Sequence, residues 1–270
     1  LPEKRVYNMP FQRNCRVIEV NQIANGLFSL VFDCSDIAGS TKAGQFVHIS
    51  CGDGLLLRRP ISVCDLDGSL VRIIFQVKGS GTSWLSERKQ GEVIDVLGPL
   101  GKGFALDGSR LLLVGGGIGV PPLLMAARQA SEQGKKVNAL LGFADADKVI
   151  LLPEFASACD WVEVSTENGS LGKHGYVTDL LISRLEANQN ICDLILSCGP
   201  QAMLSRVAHI AKEHHMPCQV SLEQRMGCGI GACLVCSCGI KSPGGEGKSF
   251  ARVCADGPVF SSREVIWDET

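Results

Sequence analysis

The sequence predicts a multidomain β plus α/β chain in three parts. An N-terminal antiparallel β-barrel covers residues 1–107, a doubly wound parallel-sheet domain covers 108–218, and a small cysteine-rich segment covers 219–270. Three observations predict it. Short β-branched runs fill the first part, strands alternate with helices in the second, and four cysteines crowd into the eleven positions of "CGIGACLVCSC" in the third.

The barrel rests on "CRVIEVNQI", "LFSLVFDC", "QFVHISC", "ISVCDL", "LVRIIFQV" and "EVIDVLG". Gly, Asp and Asn punctuate these runs at "NG", "GDG" and "LDGS", which is the spacing of small antiparallel barrels. One helix is expected over residues 83–90, capped by Thr82 or Ser83 and ended by Gly91.

From Asp107 the pattern changes. "RLLLVGGGIGVPPLLMAARQASEQGKKVNALLGFA" reads as strand, glycine turn, helix and strand, a βαβ opening. "WVEVSTENG" adds a strand and "VTDLLISRLEAN" a helix. "CDLILSCGP" is a strand ending in a turn, and "QAMLSRVAHIAKEH" is the helix after it. Such alternation calls for a parallel sheet covered on both faces. The tail after "CQVSLEQRMG" is rich in Gly and poor in apolar residues. It buries too little to order itself, and metal ligation would supply the missing free energy.

Composition narrows the function. With 45% hydrophobic and 20% charged residues the chain is an ordinary globular protein, and a formal charge of −2 gives no electrostatic footprint for nucleic acid. No apolar run reaches the roughly 18 residues of a membrane span. "LPEKRVYNMPFQRNCRVIEV" has no apolar signal core, so a cytoplasmic location is expected. Thiols there stay free unless a metal takes them, and thirteen cysteines is an odd number for a complete disulfide set. Cys15, Cys34, Cys51, Cys64, Cys159, Cys192 and Cys218 stand apart in apolar segments and read as small core residues.

Cys228, Cys233 and Cys236 follow C-x4-C-x2-C, the plant-type [2Fe–2S] spacing, which expects a distant fourth cysteine. Gly227, Gly229, Gly231 and Ala232 give the slim backbone a wrapping loop needs. Cys254, after the flexible "SPGGEGKS", is the natural fourth ligand, with Cys238 as its competitor. A zinc site would want paired C-x2-C knuckles, and one pair is present.

Such a cluster carries one electron at a time, so a hydride donor needs a flavin to split its pair. Arg59, Pro60, Ile61 and Ser62 in "RRPISV" resemble the R-x-x-S element of ferredoxin-reductase-like flavoproteins. That resemblance implies Arg59 on a flavin phosphate and Ser62 near the reactive ring; the plain alternative is a surface arginine pair. In "VKGSGTSWL", Gly79, Gly81 and Thr82 form a glycine turn before a helix, a ready anion site or else a simple hairpin. One strand separates the two elements, and together they fit one FAD. In the family that strand's backbone touches the flavin, which implies Ile74, Phe75 and Gln76 here. "GPLGKGF", residues 98–104, is either the loop closing this domain or a linker.

For the nicotinamide partner, Gly115, Gly116, Gly117 and Gly119 lie between a strand and a helix. Pro122 stands where a G-x-G-x-x-G would need its last glycine, so this turn alone is a weak signal. Its weight comes from "SCGPQAML", since both turns end parallel strands, where open α/β sheets bind ligands. Cys198, Gly199 and Pro200 resemble the family's C-G-P turn beside the nicotinamide, which would give Cys198 a part in placing the ring; otherwise it is a buried thiol. Asp145 and Asp147 would sit near the adenosine ribose and favour NADH over NADPH, or are solvated turn residues.

Taken together, "RRPIS", "GSGT", "GPLGKGF", "GGGIGVPPL", "CGP", "LEQRMGCGIGACLVCSC" and "VCADGPVF" resemble the electron-transfer subunits of type B dihydroorotate dehydrogenases, from about residue 14 to the end. The resemblance implies NADH oxidation at FAD and electron passage through a [2Fe–2S] cluster on Cys228, Cys233, Cys236 and Cys254. It implies an FMN-containing catalytic subunit as acceptor, two of each subunit in the assembly, and a role in pyrimidine biosynthesis. Nothing in this chain resembles a dihydroorotate site of its own. Cys238 is extra to the pattern and keeps the fourth ligand open. A diaphorase subunit feeding another oxidoreductase or ferredoxin, and a zinc-stabilised scaffold, are the rival readings.

Overall fold

Six strands close into a barrel: β1 (Phe11–Ala24), β2 (Leu27–Asp33), β3 (Phe46–Ile49), β4 (Arg59–Asp67), β5 (Leu70–Gln76) and β6 (Val93–Leu100). This computed structural model describes residues 10–52, 54–188, 190–242 and 247–267. The barrel order is β1-β2-β5-β4-β3-β6, antiparallel throughout, so no strand keeps a free edge along its whole length. Alternation on β3 turns Val47 and Ile49 into the barrel core and Phe46 and His48 outward. Phe46 faces Ser62 and His48 faces Pro60 across the ladder, so these four share the outer face.

One stretch of this barrel is splayed. Residues Arg59 to Ser62 of β4 pair with β3, and β4 joins β5 only from Val63 and Ile73 onward. Ile74, Phe75 and Gln76 pair with β2 on their other side. A seam therefore opens between the two strand segments singled out from the sequence.

Two short helices complete the domain, α1 (Ser35–Ala38) and α2 (Ser80–Ser86). The expected helix over 83–90 thus starts three residues earlier and ends sooner. Thr82 is inside the first turn, where its Oγ1 accepts the N–H groups of Lys78 (2.9 Å) and Gly79 (3.3 Å). A hydroxyl reaching back does the work of a cap, so the helix can begin beside a glycine. At the other end Arg88 Nε donates to the carbonyl of Trp84 (2.9 Å), and its guanidinium lies 3.9 Å from the indole centre.

The second part runs β7 (Arg110–Gly116), α3 (Pro121–Glu132), β8 (Lys136–Phe143), α4 (Leu152–Ala158), β9 (Trp161–Thr166), β10 (Lys173–His174), α5 (Val177–Ala187), β11 (Leu194–Cys198), α6 (Gln201–Glu213) and β12 (Cys218–Ser221). A hairpin, β13 (Ser237–Lys241) and β14 (Lys248–Arg252), and a last strand, β15 (Val259–Ser261), follow. The sheet order is β10-β9-β8-β7-β11-β12-β15, parallel except for β15. Leu111, Leu112, Leu113 and Val114 are wholly buried, as a central strand covered on both faces requires. Chain order reverses between β7 and β11, the switch point at which such sheets open a ligand crevice.

The cysteine-rich part expected from residue 219 is tied to the sheet at both ends. β12 straddles that position, and β15 returns to pair with it, so the cysteine segment is a long excursion between two strands of one sheet. Its core joins the barrel's outer face, with Phe46 and Leu100 in the same apolar cluster as Cys236, Val253 and Cys254. The 98–104 loop docks this excursion: Lys102 N–H donates to the carbonyl of Gly257 (2.5 Å). Residues 243–246 of the expected flexible loop lie outside the described residues. Cys15, Cys34, Cys51, Cys64, Cys192 and Cys218 are buried and Cys159 half-buried, all as free thiols. Among the described residues no helix is long and apolar enough to cross a membrane.

Candidate functional site

Arg59 and Gly81, singled out from separate motifs, meet in space. A Cβ on Gly81 would lie 2.2 Å from Arg59 Nε and 2.6 Å from Cζ, so the guanidinium rests where a side chain would otherwise be. Arg59 Nη1 also donates to the carbonyl of Leu57, which pins the head group. A fixed cation over a bare backbone turn is a cradle suited to a diphosphate. Thr82 borders it, with its hydroxyl already engaged by Lys78 and Gly79. Beside the cradle lies the seam between β4 and β5. Phe75 turns a buried side chain into the barrel and stacks on Phe28 at 6.1 Å, while Ile74, next along the strand, is buried on the opposite face, so this strand can meet a ligand by its backbone. Pro60, Ile61, Ser62 and Gln76 are half-buried around the seam. These features fit an FAD.

The two turns expected to hold a nicotinamide nucleotide are in direct contact. A Cβ on Gly119 would lie 2.4 Å from Gly199 N, and one on Gly116 would lie 2.4 Å from Met203 Sδ and 3.2 Å from Pro200 Cδ. Gly115 packs on Val120 and Leu123, each of which would lie 3.0 Å from an added Cβ. Gly117 is different: its φ of +52° is left-handed and nothing lies within 4 Å of its missing Cβ. Packing thus explains three of these glycines, and open crevice surrounds the fourth. Burial pushes the Cys198 thiol up to about 12 against the opposing pull of the Ser221 hydroxyl, so it stays neutral. Ser221 lies beside it because β11 and β12 pair Cys198 with Ser221, and the Glu223 carboxylate is close enough to be felt. Sequence reading missed Ser221 and Glu223. Taking "CQVS" as the next parallel strand would have placed them. Asp145 is tied into a local turn, its Oδ1 accepting Lys148 N–H (3.1 Å), while Asp147 is exposed.

In the cysteine segment, backbone N–H groups converge on sulfur. Ala232 and Cys233 donate to Cys228 Sγ (3.2 and 3.4 Å), Cys228 to Cys233 Sγ (3.4 Å), Gly231 to Cys254 Sγ (3.1 Å) and Cys254 to Cys236 Sγ (3.4 Å). The side chains themselves interact as two pairs, Cys228 with Cys233 and Cys236 with Cys254. Among the described residues no three His, Cys, Asp or Glu side chains are grouped as around one metal ion. Two thiol pairs ringed by N–H donors fit a two-iron cluster, one pair for each iron. Burial raises the Cys228 thiol, but the N–H groups of Ile230 and Cys233, the Cys233 side chain and the N–H of Ala232 outweigh it and bring it to about 6. Arg252 holds the loop, donating from Nη1 to the Gly231 carbonyl (3.0 Å) and from Nε to Asp256 (2.9 Å). Cys238 sits on β13 opposite Ala251, 1% exposed, in the same apolar cluster as Cys236 and Cys254, and burial first and the Cys236 thiol second push its thiol to about 11.

Residues 223–266 match the iron-sulfur cluster binding domain of dihydroorotate dehydrogenase B, and residues 113–209 match the oxidoreductase NAD-binding domain. A relative from Bacillus cereus (strain B4264), named dihydroorotate dehydrogenase B (NAD(+)), electron transfer subunit, is 41% identical over 94% of this chain and 98% of its own length. One of the same name from Bacillus mycoides (strain KBAB4) is 41% identical with the same coverage. A solved NADH-dependent reduced ferredoxin-NADP oxidoreductase, described in connection with flavin-based electron bifurcation, is similar with a TM-score of 0.84 and 31% identity over 95% of this chain and 91% of that one. An Amycolatopsis cytochrome P450 reductase shares the fold, with a TM-score of 0.68 and 22% identity over 80% of this chain and 70% of its own. With two-fifths identity along nearly its whole length, the chain belongs to the electron transfer subunits of dihydroorotate dehydrogenase B (NAD(+)).

Proposed function

We propose that this chain is the electron-transfer subunit of an NAD-dependent dihydroorotate dehydrogenase, connecting NADH to a catalytic partner in pyrimidine biosynthesis. The observation that carries the reading is the adjacency of its two redox sites. Phe46, directly opposite Ser62 on the flavin-side strand, packs in one apolar cluster with Cys236 and Cys254.

When bound, FAD exchanges a hydride with NAD(H) and gives up electrons singly, and a [2Fe–2S] cluster carries them one at a time. The chain's own residues bind and orient. Arg59 and the bare backbone at Gly81 hold the FAD diphosphate, and Ser62 offers a hydroxyl at the seam. The backbone of Ile74, Phe75 and Gln76 lines the seam's other edge. The turns of Gly115 to Gly119 and Cys198 to Pro200 position the nicotinamide nucleotide at the switch point. The neutral Cys198 thiol packs there and gives up no proton at physiological pH. Cys228, Cys233, Cys236 and Cys254 hold the cluster, and Cys238 is a core residue.

The partner carries FMN, and two of each subunit assemble in the cytoplasm. It docks over the cysteine loop, where Ile230, Leu234 and Val235 are 56–61% exposed around Cys233, and Phe250 of β14 is 75% exposed. Apolar surface of this kind marks interaction sites. The test is anaerobic NADH oxidation by the FAD- and iron-loaded chain plus a dihydroorotate dehydrogenase catalytic subunit. Oxidation that depends on orotate supports the reading. Flavin reduction without any orotate dependence overturns the partner, and NADH-driven ferredoxin reduction in its place favours a diaphorase.

A further inference from the structure

We propose that His48 is a positioning residue for the cluster, its imidazole N–H serving as a hydrogen-bond donor to the sulfur side of the Cys228 loop. This rests on the reading of the four cysteines as cluster ligands.

His48 is completely buried, and among the described residues neither Nδ1 nor Nε2 has a partner in good hydrogen-bond geometry. A buried imidazole without partners carries a desolvation cost that an aliphatic side chain would not. An acceptor from outside the polypeptide removes that cost. The surroundings say where it lies. The Cα of Gly229 rests on the ring, so that an added Cβ would be 2.4 Å from Nδ1 and 3.0 Å from Cε1. Gly229 follows Cys228, whose backbone carbonyl, like that of Arg58, is near enough to the ring to favour the protonated imidazole, though neither makes a well-formed hydrogen bond to it. The next N–H groups along, at Gly231, Ala232 and Cys233, already point to cysteine sulfurs from the loop side. His48 approaches the same loop from the barrel side.

The ring is held from behind. The His48 carbonyl accepts a hydrogen bond from Arg58 Nη1 (3.2 Å), and Arg58 is paired with Asp95. On the same outward face lie Pro60, opposite His48, and Ser62, opposite Phe46. One side chain therefore joins the strand that carries Ser62 to the loop that carries Cys228. Donors to cluster sulfurs favour the reduced, more negative form, which raises the reduction potential.

The experiment is a redox titration of the holo-protein followed by electron paramagnetic resonance, on wild type, His48→Leu and His48→Gln. His48→Leu is expected to shift the flavin–cluster electron distribution about tenfold against the cluster, about 59 mV for a one-electron couple, and to alter the reduced-cluster spectrum. His48→Gln keeps an N–H and restores most of both. Unchanged potential and spectrum in His48→Leu overturn the inference. So does His48→Gln behaving like His48→Leu, which leaves packing alone, or a change confined to the flavin bands, which moves the acceptor to the flavin. Should His48→Leu fail to fold, His48→Met, adaptable in shape and without an N–H, takes its place under the same criteria. A wild-type protein with no iron signal would sink the reading of the cysteines instead.

Discussion

Gly81→Ala sets two effects of opposite sign against each other. Gly81 lies within α2, and exchanging a helical glycine for alanine favours a helix by about 1 kcal/mol. On helix propensity alone the protein gains stability. The new methyl, however, would stand 2.2 Å from Arg59 Nε, 2.6 Å from Cζ and 2.7 Å from Nη2. These are the far atoms of a flexible side chain, so the fold tolerates the change and the guanidinium retreats by roughly 1 Å to reach ordinary contact. A charge-assisted hydrogen bond contributes about 1.5–3 kcal/mol, so losing the Arg59 contact to a phosphate weakens FAD binding by roughly 10- to 100-fold. The assay is FAD binding to flavin-free protein by fluorescence, beside thermal unfolding of the same sample. An unchanged FAD dissociation constant with a raised unfolding temperature would refute the shared diphosphate cradle.

Three further outcomes follow from the other sites. Cys254→Ser should lose cluster absorption while Cys238→Ser retains it, because Cys254 Sγ meets Cys236 and accepts the Gly231 N–H of the cysteine loop; the reverse pattern in iron analysis assigns the fourth ligand to Cys238. Gly119→Ala presses a methyl against the Gly199 backbone and forces the two turns apart. Its kcat/KM for NADH should fall on the order of 10- to 100-fold with FAD content unchanged, and wild-type kinetics would remove the nicotinamide from this crevice. In cluster-free protein, Cys228 is held down at about 6, so its thiolate forms as pH rises through that value. Its alkylation, followed by peptide mass spectrometry, should level off by about pH 7.5; a rate still climbing through about pH 8.5 is that of an ordinary thiol.

Much of this architecture was legible because its signals are local. The β-branched runs, the glycine turn after β7 and the C-x4-C-x2-C spacing are each contained in a few consecutive residues. So were Arg59 and Gly81, although only the folded chain lays one on the other. What escaped depends on register or on distant partners. Ser221 reaches Cys198 because β12 lies parallel to β11. His48 reads as one more residue of "QFVHISC" until β3 closes against the cysteine loop. The early start of α2 escaped for a smaller reason: Thr82 looked like the residue before the helix, whereas its hydroxyl reaches back from within it. The return of the cysteine segment to the sheet escaped because a short strand such as "CQVS" carries little periodicity, and its partner β15 lies beyond the whole of residues 222–258.

That pairing of β12 with β15 has a mechanical consequence. Both ends of the cysteine excursion are stitched into the same sheet, like a belt loop sewn at top and bottom. Should the span loosen, its two ends stay fastened, Gln219 to Ser221 against Val259 to Ser261, so it can open outward without leaving the sheet.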